Sequence, residues 1–267
     1  MELIENFLTQ NPCYLANVTQ AEPSYAAFQA AGPRGLMLHS VGCAQPRAEV
    51  FCRNWNRPDY DRACVHAFID AKTGEIRQTL PWYFRGWHCG GSANDTHIGV
   101  ELCETNAIRY GSGDRFTVTN RKTALADCER SYQAAVELFA FLCEKYALDP
   151  LTAICSHKEG GKAGVASGHT DPEHYWSGLG TDHSMAGFRA DVAAAMRQTP
   201  GPNPDEIPAE PAPTVGGGSP GPNPAEDPSG PIYRIQVGAF RNRAYAEAYL
   251  EQVQRYFPEA FLKTESS

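Results

Sequence analysis

Two histidines stand at the ends of apolar segments that have the pattern of buried strands. His39 lies near the end of GLMLHSVG (35–42), and His157 ends TAICSH (152–157). Strand ends in α/β sheets face the crevice in which ligands bind. A single histidine of this kind is more often a hydrogen-bonded core or surface residue. Two of them in equivalent positions favour a shared site.

A third group of candidate ligands lies in SGHTDPEHYW (167–176), which contains His169, Asp171 and His174. A catalytic zinc ion takes three protein ligands of nitrogen, oxygen or sulfur type and keeps one position open for water. Two histidines from separate strands and one loop residue would complete such a set. Spacing within the loop leaves open which of the three residues binds.

A carboxylate, Glu101, lies in the alternating segment HIGVELCE (97–104). Successive side chains of a strand point to opposite faces. One face carries His97, Gly99 and Glu101, and the other carries Ile98, Val100 and Leu102. With the apolar set in the core, Glu101 points into the cleft, where it could act as a general base. The alternative is a solvent-exposed carboxylate on an edge strand.

Alternating strands and helices supply the frame for these residues. Apolar runs predict strands at 35–42, 64–70, 96–104 and 152–157. Apolar residues at three- and four-residue intervals predict a helix over 124–148, namely Leu125, Cys128, Tyr132, Val136, Phe139 and Cys143. A last helix is predicted over 185–196. The fold class is therefore α/β, with a mixed central sheet flanked by helices.

Composition divides the chain into three parts. Residues 1–198 form the predicted main domain. Residues 199–230 are mostly proline, glycine, serine and acidic residues, a composition that predicts an extended tether because it buries too little apolar surface to fold. Residues 231–267 are predicted to form a small α+β tail module.

Charge and hydropathy exclude several classes of protein. The net charge is −8, and no basic stripe with interleaved aromatic residues is present, so nucleic acid is not an expected partner. No apolar run reaches the roughly 20 residues that cross a bilayer. The N-terminus carries Glu2 and Glu5 and lacks the basic and apolar regions of a signal peptide. Synthesis in the cytoplasm is therefore expected.

The nine cysteines form no C-x-x-C pair. Most are predicted to be small buried apolar residues in a reducing compartment. One or two disulfides, or one thiolate metal ligand, are the alternatives.

Taken together and in order, several motifs resemble the type 2 N-acetylmuramoyl-L-alanine amidases, which share a fold with peptidoglycan-recognition proteins. The motifs are GLMLHSVG, VHAFIDAKTGEIRQTLP, RGWHCGG, IGVELCE, SHKEG and HTDPEH, within about residues 32–197. The sequence is most similar to prophage endolysins. The resemblance implies a zinc hydrolase that acts on bacterial peptidoglycan after release by another route, such as a phage holin.

The resemblance also implies roles for individual residues. His39 and His157 match zinc ligands, and Asp171 matches the third ligand in a family segment that often reads K-x-D-P-G. Here His169 replaces the lysine and Glu173 replaces the glycine, which keeps His169 and His174 as alternative ligands.

Glu101 matches the catalytic glutamate of the family, and His169 matches the basic residue that stabilises the oxyanion. His88 matches a residue of the substrate groove, and the neighbouring Trp87 is predicted to bind substrate with it. A non-catalytic peptidoglycan-binding protein of the same fold and a zinc hydrolase acting on peptides are the competing functions. The tail, YRIQVGAFRNRAYAEAYLEQV, resembles the beginning of a SPOR domain, which implies a partial cell-wall-binding module.

Overall fold

The computed structural model describes residues 1–198, whereas the predicted linker and tail module lie outside the described residues. The strands of residues 1–198 are β1 (Leu3–Glu5), β2 (Gly35–Ser40), β3 (Ala67–Ile69), β4 (Ile76–Gln78), β5 (His97–Leu102), β6 (Ile108–Tyr110), β7 (Phe116–Val118) and β8 (Ile154–Ser156). Six of them form one sheet in the order β1-β4-β3-β5-β2-β8, and the other two form a hairpin, β6–β7. Within the large sheet, β3 and β4 pair antiparallel and the other neighbours pair parallel. The predicted mixed sheet is confirmed.

Eight α-helices accompany the strands in the described part of the chain. They are α1 (Pro12–Thr19), α2 (Pro23–Ala31), α3 (Ala48–Trp55), α4 (Arg121–Tyr146), α5 (Pro150–Ala153), α6 (His157–Lys162), α7 (Glu173–Leu179) and α8 (Met185–Gln198). Between residues 1 and 198, none of the helices combines the length and hydropathy that crossing a bilayer requires.

The central strands bury one complete apolar face against α4 and α8. Leu36 and Leu38 of β2 and Ile98, Val100 and Leu102 of β5 have no exposed surface. They belong to one cluster with Leu138 and Phe139 of α4 and with Phe188 and Val192 of α8. The predicted alternation in β5 is thus confirmed, and this face holds most of the core.

Helix α4 has clear ends. Its N-cap, Asn120, accepts a hydrogen bond from the backbone N–H of Thr123, which satisfies one of the donors left free at a helix start. Ala147 ends the helix in the left-handed conformation, with φ of 51°. The observed range begins three residues before the predicted one and ends two residues earlier.

The segment predicted as a strand over 152–157 contains three elements. Asp149 caps α5, and the short strand β8 follows that helix directly. Ser156 then caps α6 through a reciprocal capping box with Glu159, so His157 is the first residue of a helix. Side-chain capping on both sides explains why the strand is short.

Seven of the nine cysteines are buried, as predicted for most of them. Cys13, Cys52, Cys64 and Cys103 lie in a second apolar cluster together with Phe68. There they act as small apolar side chains that fill space between α1, α3 and the sheet.

Candidate metal centre

The polar residues of interest gather at one cavity of about 610 Å³. His39 on β2 is the register partner of Glu101 on the adjacent parallel strand β5. His157 begins α6 directly after β8, the other neighbour of β2. Asp171 lies just before α7. The order of the strands therefore brings residues far apart in sequence to one edge of the sheet.

His39, His157 and Asp171 form a compact cluster. The two Nδ1 atoms are 3.1 Å apart, His39 Nδ1 lies 3.2 Å from Asp171 Oδ2, and His157 Nδ1 lies 3.5 Å from Asp171 Oδ1. One ligand atom from each residue lies within 4.8 Å of the others. A tetrahedral ion with bonds of about 2.0–2.1 Å would separate its ligand atoms by about 3.3 Å, so the spacing fits zinc.

The outer hydrogen bonds of the two imidazoles determine which nitrogen carries the proton. His39 Nε2 lies 3.0 Å from His88 Nδ1, and His88 Nε2 lies 3.1 Å from the carbonyl oxygen of His97. Because a carbonyl only accepts, a neutral His88 donates from Nε2 and accepts at Nδ1 from His39. A neutral His39 then presents a lone pair at Nδ1.

Hydrogen bonds also orient the ring of His157. Its Nε2 lies 3.1 Å from Ser167 Oγ, and that hydroxyl donates to the carbonyl oxygen of Cys89. His157 therefore donates from Nε2 and keeps a lone pair at Nδ1. Two nitrogen lone pairs and a carboxylate thus converge without a proton between them, which is the arrangement that a cation satisfies.

Burial and neighbouring groups set the charges in this cluster. Burial lowers the pKa of His39, although the carboxylate of Asp171 opposes the shift. Burial alone would raise the pKa of Asp171, but contacts with His157 and His39 overcome it and hold the pKa well below its usual range. Neutral imidazole and ionised carboxylate are the protonation states that bind divalent metals.

Glu101 lines the cavity beside the cluster. Its Oε2 atom is buried and has no hydrogen-bond partner among the described residues. Burial, together with the negative charges of Asp171 and Glu104, raises the pKa of Glu101 well above its ordinary value. A carboxyl group with a raised pKa and a free oxygen in a cavity is suited to proton transfer.

Of the three loop candidates, Asp171 is the one that joins the cluster. The His169 side chain is 58% exposed, with Nδ1 3.7 Å from Asp171 Oδ1 and its ring 4.2 Å from that of His157. His174 turns toward Tyr110, whose hydroxyl lies 2.9 Å from Nε2. Both histidines line the cavity. The ligand role of Asp171 stays a prediction that this geometry favours.

The two residues predicted to bind substrate lie in different surroundings. His88 is 8% exposed and lines the cavity, directly behind His39. The Trp87 indole donates to the hydroxyl of Tyr25 and packs against the second apolar cluster. Trp87 is not among the residues that line the cavity. Substrate binding by either residue stays a prediction.

A buried acid near the site, Glu104, was not predicted from the sequence. Glu104 has no exposed surface. It accepts hydrogen bonds from the Tyr110 hydroxyl at 2.5 Å and from the Gly42 backbone N–H at 3.1 Å. Burial raises the pKa of Glu104 to about 7. Its place just after β5, at the strand end that faces the cavity, was the available signal.

An α/β domain that brings two imidazoles, a carboxylate and a second, unpaired carboxyl group to one cavity has the parts of a metal-assisted hydrolase. A sequence model of the N-acetylmuramoyl-L-alanine amidase family matches residues 29–174, more than half of the chain. The chain belongs to this family and is a peptidoglycan amidase. The SPOR domain model matches residues 229–267. No curated protein matches the chain at a significant level.

The chain is similar to several solved structures. The hydrolase AmiA of Staphylococcus aureus is 17% identical, with a TM-score of 0.51 over 73% of this chain and 83% of that one. The PlyG catalytic domain is 19% identical, with a TM-score of 0.47 over 76% of this chain and 100% of that one. AmiD from E. coli is 21% identical, with a TM-score of 0.34 over 49% and 51% of the two chains. The likeness to AmiA agrees with the predicted fold class.

Proposed function

We propose that the chain is a zinc-dependent enzyme that hydrolyses the amide bond between N-acetylmuramic acid and L-alanine. The supporting observation is the convergence of one possible ligand atom each from His39, His157 and Asp171 within 4.8 Å of one another, beside Glu101, whose Oε2 atom has no hydrogen-bond partner within residues 1–198. Two imidazoles and one carboxylate are a donor set that catalytic zinc uses, with one position left open.

His39, His157 and Asp171 would hold the ion. When bound, zinc supplies Lewis acidity that polarises a carbonyl and lowers the pKa of water to about 7. Glu101 takes the proton from the attacking water and delivers it to the leaving amine nitrogen. This role requires the ionised carboxylate at the start of the reaction.

His169 lies at the rim of the cavity. Its ring lies against His157 and its Nδ1 faces Asp171, which places it next to the proposed ligands. In the imidazolium form it opposes the negative charge that develops on the carbonyl oxygen. This is the role that the lysine of the family segment would otherwise fill.

The SPOR match supports a second contact with the cell wall. A wall-binding module joined to the catalytic domain raises the local concentration of the domain at its substrate. We further propose an endolysin-like function, in which the protein lyses bacterial cell walls.

Digestion of purified cell walls by the full chain tests the proposal. We expect release of free stem peptides without new reducing sugar ends, loss of release after treatment with a chelator, and recovery on addition of zinc. New reducing ends would indicate a glycosidase. Full activity after complete removal of metal would contradict the zinc requirement. Binding to walls without any release would favour the non-catalytic alternative.

A further inference from the structure

The side chain of His88 forms a hydrogen bond with His39, the first proposed metal ligand, on the side of the ring that faces away from the other ligands. Its Nδ1 lies 3.0 Å from His39 Nε2, and its own Nε2 donates to the His97 carbonyl oxygen at 3.1 Å. The two rings meet edge to face, with centroids 5.1 Å apart. His88 therefore constrains both the rotation of the His39 ring and the nitrogen that carries its proton.

Cys89, the next residue along the chain, orients the second proposed ligand, His157, through Ser167. The carbonyl oxygen of Cys89 accepts two hydrogen bonds from Ser167, one from the hydroxyl at 3.0 Å and one from the backbone N–H at 2.8 Å. The Ser167 hydroxyl in turn faces His157 Nε2 at 3.1 Å. The dipeptide His88–Cys89 therefore contacts both histidines of the proposed metal site. His88 bonds directly to His39, and Cys89 bonds to His157 through the Ser167 hydroxyl.

That dipeptide is itself held in place. The buried side-chain carbonyl of Asn94 accepts hydrogen bonds from the backbone N–H groups of both His88, at 2.9 Å, and Cys89, at 3.1 Å. Gly99 on β5 leaves the space that the His88 ring occupies, because a Cβ atom there would lie 2.4 Å from His88 Cγ. Neither backbone nor ring can therefore shift freely.

We propose that the dipeptide His88–Cys89 is the common support that orients both imidazoles and so sets the affinity of the centre for zinc. This inference rests on the proposed function and names His88, Ser167 and Asn94 as positioning residues. It gives His88 a role different from the predicted one in substrate binding. The two roles differ in a measurable way, because a support acts on metal affinity and a substrate contact acts on KM.

Two substitutions of His88 distinguish the hydrogen bond at Nδ1 from the hydrogen bond at Nε2. In His88→Asn, the amide oxygen takes the place of Nδ1 and can still accept from His39. In His88→Gln, the longer amide reaches the place of Nε2 and can donate to the His97 carbonyl, but leaves no acceptor for His39. Loss of an outer partner of a metal ligand typically costs 10- to 100-fold in affinity.

The test is a competition titration of each full-length variant between zinc and a chromogenic chelator. We expect His88→Gln and His88→Ala to bind zinc about 10- to 100-fold more weakly than wild type, and His88→Asn to lie closer to wild type. Ser167→Ala should weaken binding in the same range through His157. At saturating zinc, KM for wall fragments should stay near the wild-type value in all four.

His183 provides the control. Its ring stacks on that of Tyr132 at 3.9 Å and its Nε2 atom lies 3.1 Å from Glu129 Oε2, away from the His88–Cys89 dipeptide and the three proposed ligands. His183→Gln should therefore leave zinc affinity near wild type. Thermal unfolding of the metal-free proteins shows which variants are folded.

Wild-type zinc affinity in His88→Gln, His88→Ala and Ser167→Ala would overturn the inference, as would an increase in KM at unchanged zinc affinity. If the His88 variants do not fold, Ser167→Ala decides alone, and unchanged affinity there overturns the inference. Failure of the wild-type protein to bind zinc would instead contradict the proposed function, so the two failures are distinguishable.

Discussion

The two faces of the central sheet are built from the same strands but have opposite character. On one face, Leu38 and Val100 are fully buried in the largest apolar cluster, against α4 and α8. On the other, their chain neighbour Glu101 lines a cavity, and His39 contacts His157 and Asp171, which line the same cavity. Neighbouring residues on one strand therefore contribute either to stability or to chemistry.

The apolar face of the sheet compensates for groups on the site face that lower the stability of the fold. An unpaired buried carboxyl and converging lone pairs lower the stability of the metal-free fold. Burial of apolar surface on the opposite face, at about 25 cal/mol per Å², offsets that cost. Substitutions on the site face should consequently change zinc binding and hydrolysis, whereas substitutions on the apolar face should change the free energy of unfolding.

The largest effect is expected at the proposed ligands. His39→Ala and His157→Ala should lose zinc and wall hydrolysis together, because two remaining ligands hold the ion poorly. Metal analysis of the purified variants, combined with stem-peptide release, measures both. His183→Ala is the control, since His183 stacks on Tyr132 at 3.9 Å and does not line the cavity. Stoichiometric zinc in either ligand variant would remove that residue from the set.

The next effect is expected at the proposed general base. Glu101→Gln keeps the size of the side chain but cannot accept the water proton, so turnover should fall about 10²- to 10⁴-fold with zinc retained. The rate of stem-peptide release at saturating zinc is the measurement. Glu129→Gln, at a side chain that is 54% exposed, provides a control for loss of one acidic group. Wall hydrolysis by Glu101→Gln at the wild-type rate would refute the assignment.

A substitution on the core face should change stability and little else. Leu38→Ala is expected to lower the free energy of unfolding by about 2–5 kcal/mol, because it removes a fully buried side chain and leaves a cavity. Zinc affinity of the folded protein should remain near wild type. Urea unfolding and chelator competition measure the two quantities. Leu138→Ala, in the same cluster but on α4, should destabilise similarly, and a specific loss of zinc affinity in Leu38→Ala would show that the two faces are coupled.

The smallest effect concerns pH and Glu104. Its pKa is raised from 4.5 to about 7, so the folded state holds a proton that the unfolded state releases between these values. The stability that this group contributes is therefore present below about pH 4.5 and lost as pH rises through about 7.

Comparison with Glu104→Gln isolates this effect. In the metal-free protein, the unfolding free energy of wild type should fall relative to Glu104→Gln between pH 4.5 and 7. Urea unfolding at several pH values measures the difference. A constant difference between the two proteins across this range would show that Glu104 titrates normally.

Much of the fold could be predicted from local pattern. Alternation in 97–102 correctly separated the core side from the site side, and the intervals in 124–148 located α4 within a few residues. Helices α1 and α2 were missed, although each begins with a proline in its first turn, and Asn11 caps the first of them. Their short apolar stripes are weak signals, and packing against the rest of the domain stabilises them.

The sequence by itself determined the chemistry that is available: which residues can bind a metal or move a proton, and which segments are apolar enough to carry them. The tertiary structure decided which of these candidate residues come together at one site. Asp171 joins His39 and His157, whereas His174 turns to Tyr110 and His88 stands behind His39. Strand order and hydrogen-bond partners make these choices, and both depend on contacts between residues as much as 132 positions apart, which no local pattern contains.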